Sequence, residues 1–161
     1  MEENKAQPKE DEKKDEKMKI KLIKNGVVID HITRGRALEV LRILGIGEEY
    51  DDEVTIGMNI PSKSMGKKDI VKLENRDVKT HEINKIAIIA PKATINRIQD
   101  YRVVKKEKVV LPNEILGILK CSNPQCVSNK AREPVKSCFL VMQRDPLILS
   151  CKYCERESKG L

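Results

Sequence analysis

The feature that most constrains this chain is the placement of its cysteines. All five, Cys121, Cys126, Cys138, Cys151 and Cys154, lie near the C-terminal end, and four of them form two close pairs, CSNPQC and CKYC, with 24 residues between them. A tetrahedral Zn²⁺ needs four soft donors at about 2.3 Å from one centre, and two tight turns that each supply a pair of thiolates meet that need. C-x2-C is the usual turn; C-x4-C is a looser version, with Asn123 and Pro124 shaping it. The intervening FLVMQRDPLILS is strand-rich, as a zinc ribbon requires. A lobe of about 50 residues cannot hold itself together by burial alone, whereas metal binding to such a site supplies on the order of 10–16 kcal/mol. One structural zinc on Cys121, Cys126, Cys151 and Cys154 is therefore the expectation. Disulfides and a redox CKYC are the alternatives; the first is disfavoured in most reducing cytosols, and the second lacks the position opening a helix after a buried strand. Cys138, beside Phe139, reads as a small buried hydrophobe. Four protein ligands leave no open position for catalytic zinc.

The rest of the chain has a different character. Residues 1–17 carry five lysines and seven acids with almost no apolar residue, and they read as a disordered charged tail. Folded sequence is expected from Met18. KIKLIKNGVVIDHI predicts strands at about 20–24 and 27–32 around an Asn25-Gly26 hairpin turn. Ala37, Leu38, Leu41 and Leu44 recur at helical spacing, with Thr33 as candidate N-cap and Gly45 or Gly47 as the stop. Strands are predicted at 53–62, stopped by Pro61, and at 67–76. A short helix capped by Thr80 follows, then a buried strand at 86–90 and another at 93–104. This order is the split βαβ pattern with an extra strand: an α+β, ferredoxin-like antiparallel sheet with two helices on one face. The basic KKEK segment and Pro112 mark the boundary with the small all-β zinc-ribbon domain. The expected division is a tail at 1–17, one domain at 18–110 and a second at 111–161.

The net charge of +7 invites anionic ligands, nucleic acid or an acidic partner surface. With one Phe, three Tyr and no Trp, a stacking platform for single-stranded bases could hardly be built. No apolar run approaches the roughly 18–20 residues that cross a bilayer, and the N-terminus has no signal-peptide core, so a cytoplasmic location is expected. No phosphate-binding glycine loop is present. The two histidines, His31 and His81, have no cysteine free to pair with, and the paired carboxylates of GEEYDDE read as a solvated loop. The chain is not expected to be an enzyme in its own right. One oddity remains: VVIDHI places Asp30 and His31 side by side where a strand otherwise prefers burial.

The segments VVIDHI, TIGMNIPS, MGKKDIVKLEN and APKATINRIQDYRVV, followed by C-x4-C and CKYCE, resemble the regulatory chain of aspartate carbamoyltransferase, in order and at matching spacing over nearly all of 18–157. The resemblance implies a non-catalytic, allosteric subunit of pyrimidine biosynthesis. Its first domain would bind effector nucleotides, CTP as inhibitor and ATP as activator, with UTP as a co-inhibitor. Its zinc domain would dock on catalytic chains, regulatory homodimers joining catalytic trimers. By position, Asp30 and His31 match the acid–imidazole pair near ribose and phosphates. Lys72 matches the lysine near ribose and base, and Lys106 the lysine that meets the triphosphate, a role that Lys105 or Lys108 could share. Leu22, Ile23, Val28, Ile98, Tyr101 and Val103 match the pocket walls, with Asn96 among its polar members. Lys21 stands where the best-known relatives carry an acid. The rival from another class is a zinc-ribbon nucleic-acid-binding protein, supported by the basic charge and the ribbon.

Overall fold

The computed structural model of the chain describes residues 21–159. The charged tail at 1–17 and the expected start at Met18 lie outside them. The described residues form two antiparallel sheets. The first is built from β1 (Gly26–Thr33), β2 (Val54–Ser62), β3 (Gly66–Glu74), β4 (Thr94–Gln99) and β5 (Arg102–Lys108), with α1 (Ala37–Ile43) and α2 (Thr80–Ile89) between strands. Its spatial order is β2-β3-β1-β4-β5, so the first strand lies in the middle. The second contains β6 (Glu114–Leu116), β7 (Cys138–Arg144), β8 (Leu147–Cys151) and β9 (Glu157–Lys159), in sequence order. The α+β reading and the small all-β lobe both hold. No helix among the described residues is long and apolar enough to cross a membrane.

Side-chain alternation divides the first sheet into two faces. Val27 and Ile29 of β1, Val71 and Leu73 of β3 and Ile95 of β4 are buried with Val40, Leu41 and Leu44 of the α1 region and Ile86, Ala87 and Ala90 of the α2 region. The helices therefore cover this face, and the face bearing Val28 and Lys72 is left open. The buried cluster continues through Val109 and Leu111 to Ile115, Phe139 and Leu149 of the second sheet. Arg144 reinforces the junction by donating to the Leu111 carbonyl and, at 2.7 Å, to Asn113 Oδ1.

Several local expectations are corrected. Residues 21–24 are not a strand, and residue 20 lies outside the described part. Asn25-Gly26 makes no hairpin. Gly26 is needed for a different reason: at φ 143° against β3, an added Cβ would collide with the Leu73 carbonyl oxygen. The residues around Asn25 instead brace other turns, with the Asn25 carbonyl accepting from Asn75 N–H and the Lys24 carbonyl from Tyr101 N–H. The predicted strand at 93–104 is two strands, turning at Asp100 and Tyr101, both at positive φ. Thr33 ends β1 rather than capping α1; its carbonyl accepts from Arg36 N–H, and the helix starts one residue later. Gly45, at φ 65°, stops α1 as expected. Pro61 lies inside β2, opposite Lys67, which an edge strand tolerates because it has no neighbour requiring that N–H.

The largest correction is at 86–90. IAIIA is not a strand but the last turn of α2 and its C-cap, Ala90. Five consecutive apolar residues satisfy a buried strand and a buried helix equally well, and periodicity cannot separate them. Local chemistry decides at the start of the helix, where the Glu82 carboxylate accepts from Lys79 N–H at 2.8 Å. Thr80 is the first helical residue, not the cap.

Candidate functional site

Strand register assembles a row of side chains across the open face. Lys72 pairs with Val28, Val28 with Asn96, and Asn96 with Lys106, so these four lie side by side on β3, β1, β4 and β5. Thr55 of β2 extends the row beyond Lys72. A parallel row joins Gly26, Ile98 and Val103. Asn96 Nδ2 leans on the Val28 carbonyl at 3.4 Å. Val28 and Ile98 are half-buried, Val103 is exposed, and Tyr101 projects from the β4–β5 turn. The segment before β1 lies beside the row, since Lys72 Nζ donates to the Lys21 carbonyl at 2.6 Å. Lys21 itself is exposed and ion-paired to Glu53 at 2.7 Å, which raises its pKa. Leu22 is exposed, but Ile23 is buried.

Asp30 and His31 stand side by side because β1 is bulged there. Pairing with β3 slips between Ile29 and Ile32, and His31 takes φ 56°. A bulge with one left-handed residue re-aims the side chains that follow. The Asp30 carboxylate holds the bulge by accepting from His31 N–H at 2.6 Å, and it also pairs with Lys68 at 2.7 Å. His31 Nδ1 lies 3.5 Å from Thr94 Oγ1. Lys68 and Thr94 thus join the constellation, although neither was expected. Lys68 was legible, because it lies four residues before Lys72 on one strand and so shares its face.

Lys72 is 7% exposed. Burial pushes its ammonium below the usual lysine range, and the charge of Asp30 opposes the shift. The folded protein therefore gives up this proton at lower pH than the unfolded chain does. The charge is a full handicap at neutral pH, relieved as pH rises through the folded value towards 10.5. Lys72→Met is expected to leave stability at pH 7 unchanged or up to about 1 kcal/mol higher, and to flatten the rise in stability in the alkaline window. Urea denaturation at pH 7 and pH 10 measures both; a clear loss at pH 7 would contradict the handicap.

In the second lobe, Cys121, Cys126, Cys151 and Cys154 bring their four Sγ atoms within 4.8 Å of one another. Cys121 and Cys154 are 3.5 Å apart, Cys126 and Cys151 3.7 Å. A tetrahedron with arms of about 2.3 Å has edges of about 3.8 Å, so the set fits a zinc-sized ion. All five cysteines are free thiols, and Cys138 is buried apart from the cluster on β7. The turns are tightly held. Asn123 N–H points to Cys121 Sγ at 3.5 Å, and Asn123 Oδ1 accepts from Gln125 N–H at 3.0 Å. Asn129, which pattern reading passed over, donates to the backbone carbonyls of Cys121 and Asn123, both at 2.8 Å. Burial pushes the Cys121 thiol up to about 12, while the Arg156 backbone holds Cys154 down to about 6.

Comparison with known proteins gives the arrangement its context. Residues 18–110 match the family model described as the aspartate carbamoyltransferase regulatory chain, allosteric domain, and residues 113–160 the model of its metal binding domain. The chain belongs to this family. The aspartate carbamoyltransferase regulatory chain of Methanothermobacter thermautotrophicus is 50% identical over 146 residues, 91% of this chain and 92% of the relative. Those of Korarchaeum cryptofilum and Thermococcus gammatolerans are 49% and 50% identical, covering 86% and 89% of this chain and 88% and 93% of theirs. The family is one of regulatory, non-catalytic chains, with one allosteric and one metal-binding domain.

Proposed function

We propose that the open face of the five-stranded sheet binds nucleotide effectors, CTP and ATP with UTP as a further candidate, and that the cysteine-held lobe passes the effect to aspartate carbamoyltransferase catalytic chains. The observation that carries this reading is the row Lys72–Val28–Asn96–Lys106, flanked by the bulged Asp30–His31 pair. Asp30 accepts from ribose hydroxyls. Lys106 supplies a point charge to a phosphate. Leu22, Ile98, Tyr101 and Val103 give apolar cover to the base end, and Lys21 lies there in place of an acid. Ile23, buried and next to Leu22 in sequence, belongs to the same wall. The effector domain spans 18–110 and the metal domain 111–161.

Cys121, Cys126, Cys151 and Cys154 would hold one Zn²⁺, whose contribution is structural. The partners are catalytic trimers, and a second copy of this chain in a regulatory homodimer, in the cytoplasm. Regulation is linkage: an effector acts only through different affinity for two quaternary states, with couplings typically about 1–3 kcal/mol.

Lys106→Ala is expected to weaken CTP and ATP binding about tenfold, the scale of one charge-assisted hydrogen bond, with zinc content unchanged. Calorimetry and metal analysis measure the two; equal affinities in variant and parent would count against the site. The function as a whole is tested by mixing the chain with an aspartate carbamoyltransferase catalytic trimer and following assembly and the response of activity to CTP and ATP. Failure to assemble would overturn it.

A further inference from the structure

Left-handed backbone is uncommon outside glycine, because Cβ crowds the carbonyl that follows it, and it persists only where the surroundings hold it. Three of the non-glycine residues that adopt it, Asn75, Asp100 and Tyr101, give their N–H groups to two consecutive residues. Tyr101 N–H donates to the Lys24 carbonyl, Asn75 N–H to the Asn25 carbonyl and Asp100 N–H to Asn25 Oδ1, each at 3.0 Å. Asp100 and Tyr101 are the central pair of the β4–β5 turn, at φ 47° and 63°. Such a turn prefers Gly second, so Tyr101 occupies a position that its own side chain disfavours. Two of the three bonds end on backbone carbonyls, which any residue at 24 or 25 would supply. The third needs a side-chain acceptor of the length of Asn25. The identity of Asn25, and not only its place in the chain, therefore fixes this turn.

What the turn carries gives the brace its meaning. Tyr101 is exposed, beside the pair Ile98–Val103 that continues the row from Gly26. The segment before β1 borders the same end of the face and is pinned at both ends. Lys72 Nζ donates to the Lys21 carbonyl at 2.6 Å, and Lys24 and Asn25 accept from the turn. A large exposed side chain on a costly backbone conformation, tied to a residue 75 positions away, adds nothing to the core. It suits a surface that holds one shape before its ligand arrives.

We infer that Asn25 is a positioning residue for the effector's base. By accepting from Asp100 N–H it holds the β4–β5 turn in the conformation that presents Tyr101 to the base end of the site. The inference rests on the nucleotide reading above and assigns part of the base affinity to a residue that acts through another. The Asn25–Asp100 bond is exposed, so water replaces it when Asn25 is shortened, and the loss falls on the turn's conformation rather than on stability.

The test uses the full chain and its Asn25→Ala, Asn25→Asp and Tyr101→Ala variants, with the Asn25→Ala/Tyr101→Ala double variant. Calorimetry at fixed ionic strength measures CTP, ATP and inorganic tripolyphosphate, which has phosphates and no base; urea denaturation reports folding. Asn25→Ala is expected to weaken CTP and ATP about fivefold and tripolyphosphate less than about twofold, with the urea midpoint unchanged. Asn25→Asp keeps the acceptor and should restore the parent's ratio of CTP to tripolyphosphate affinity, its added charge lowering both alike. In the Tyr101→Ala background, Asn25→Ala should cost nothing further. A parent-like ratio in Asn25→Ala, equal losses for all three ligands, or losses that add in the double variant would overturn the inference and leave the nucleotide reading intact. A parent chain that binds neither CTP nor ATP more tightly than tripolyphosphate would overturn the nucleotide reading, and the inference with it.

Discussion

Stripping the metal from the four-cysteine site, or replacing Cys151 by serine, is expected to unfold the second sheet while the five-stranded sheet stays folded. The second lobe has little else to hold it. Its buried apolar residues reduce to Leu111, Ile115, Phe139 and Leu149, beside the cysteines themselves. Against the ordering cost of about 1–2 kcal/mol per residue, that core is too small, and metal binding worth on the order of 10–16 kcal/mol decides the outcome. Cys151 is the sharpest place to intervene: it is fully buried, it pairs with Phe139 across β7 and β8, and its backbone holds both ends of the CKYCE turn. The five-stranded sheet keeps its own core of Val27, Ile29, Val71, Leu73, Ile86 and Ile95. Amide exchange should show protection lost over 114–159 and retained over β1, β3 and β4. Association with aspartate carbamoyltransferase catalytic chains should be lost as well. Protection of β7 and β8 in chelator, with metal shown absent, would refute the dependence.

Asp69→Ala is expected to cost about 2–4 kcal/mol, although Asp69 lies on the helix-covered side, away from the row of Lys72, Val28, Asn96 and Lys106. Its carboxylate is fully buried and accepts from Ala37 N–H at 3.2 Å and Asn59 N–H at 3.0 Å. One side chain of β3 therefore anchors the start of α1 and the bulge of β2, where Asn59 takes φ 59°. Removing it leaves the buried Ala37 N–H without its acceptor and forfeits two hydrogen bonds to a charged group. Urea denaturation measures the loss; a change below about 1 kcal/mol would show that neither contact matters. Asp69→Asn, which keeps one carbonyl acceptor, should lose about half as much.

Sequence patterns foretold the fold where they reflected a repeating physical requirement. Alternation along 27–32 and 67–76 revealed two strands, and the cysteine spacing matched the cluster whose thiols meet within 4.8 Å. They misled where one pattern had two solutions. IAIIA was compatible with strand and helix, and Asn25-Gly26 looked like a turn when glycine was needed for close approach to the Leu73 carbonyl. The true hairpin uses Asp100-Tyr101, a weak turn signal whose left-handed conformation is braced by Asn25 Oδ1 and the Lys24 carbonyl, 75 or more residues away in sequence. For the open face, motif resemblance named Asp30, His31, Lys72 and Lys106. It passed over Lys68, whose relevance rests on an ion pair across strands.

The central position of β1 has a consequence for synthesis on the ribosome. Its two partners are β3 and β4, so Val27 must await Leu73 on one side and Arg97 on the other. The central strand of the sheet is thus translated before either of its partners and stays unpaired until about 45 to 70 further residues emerge. During that interval Val27, Ile29 and Ile32 are exposed in the nascent chain, which makes translation speed and chaperone access across residues 33–94 a determinant of yield.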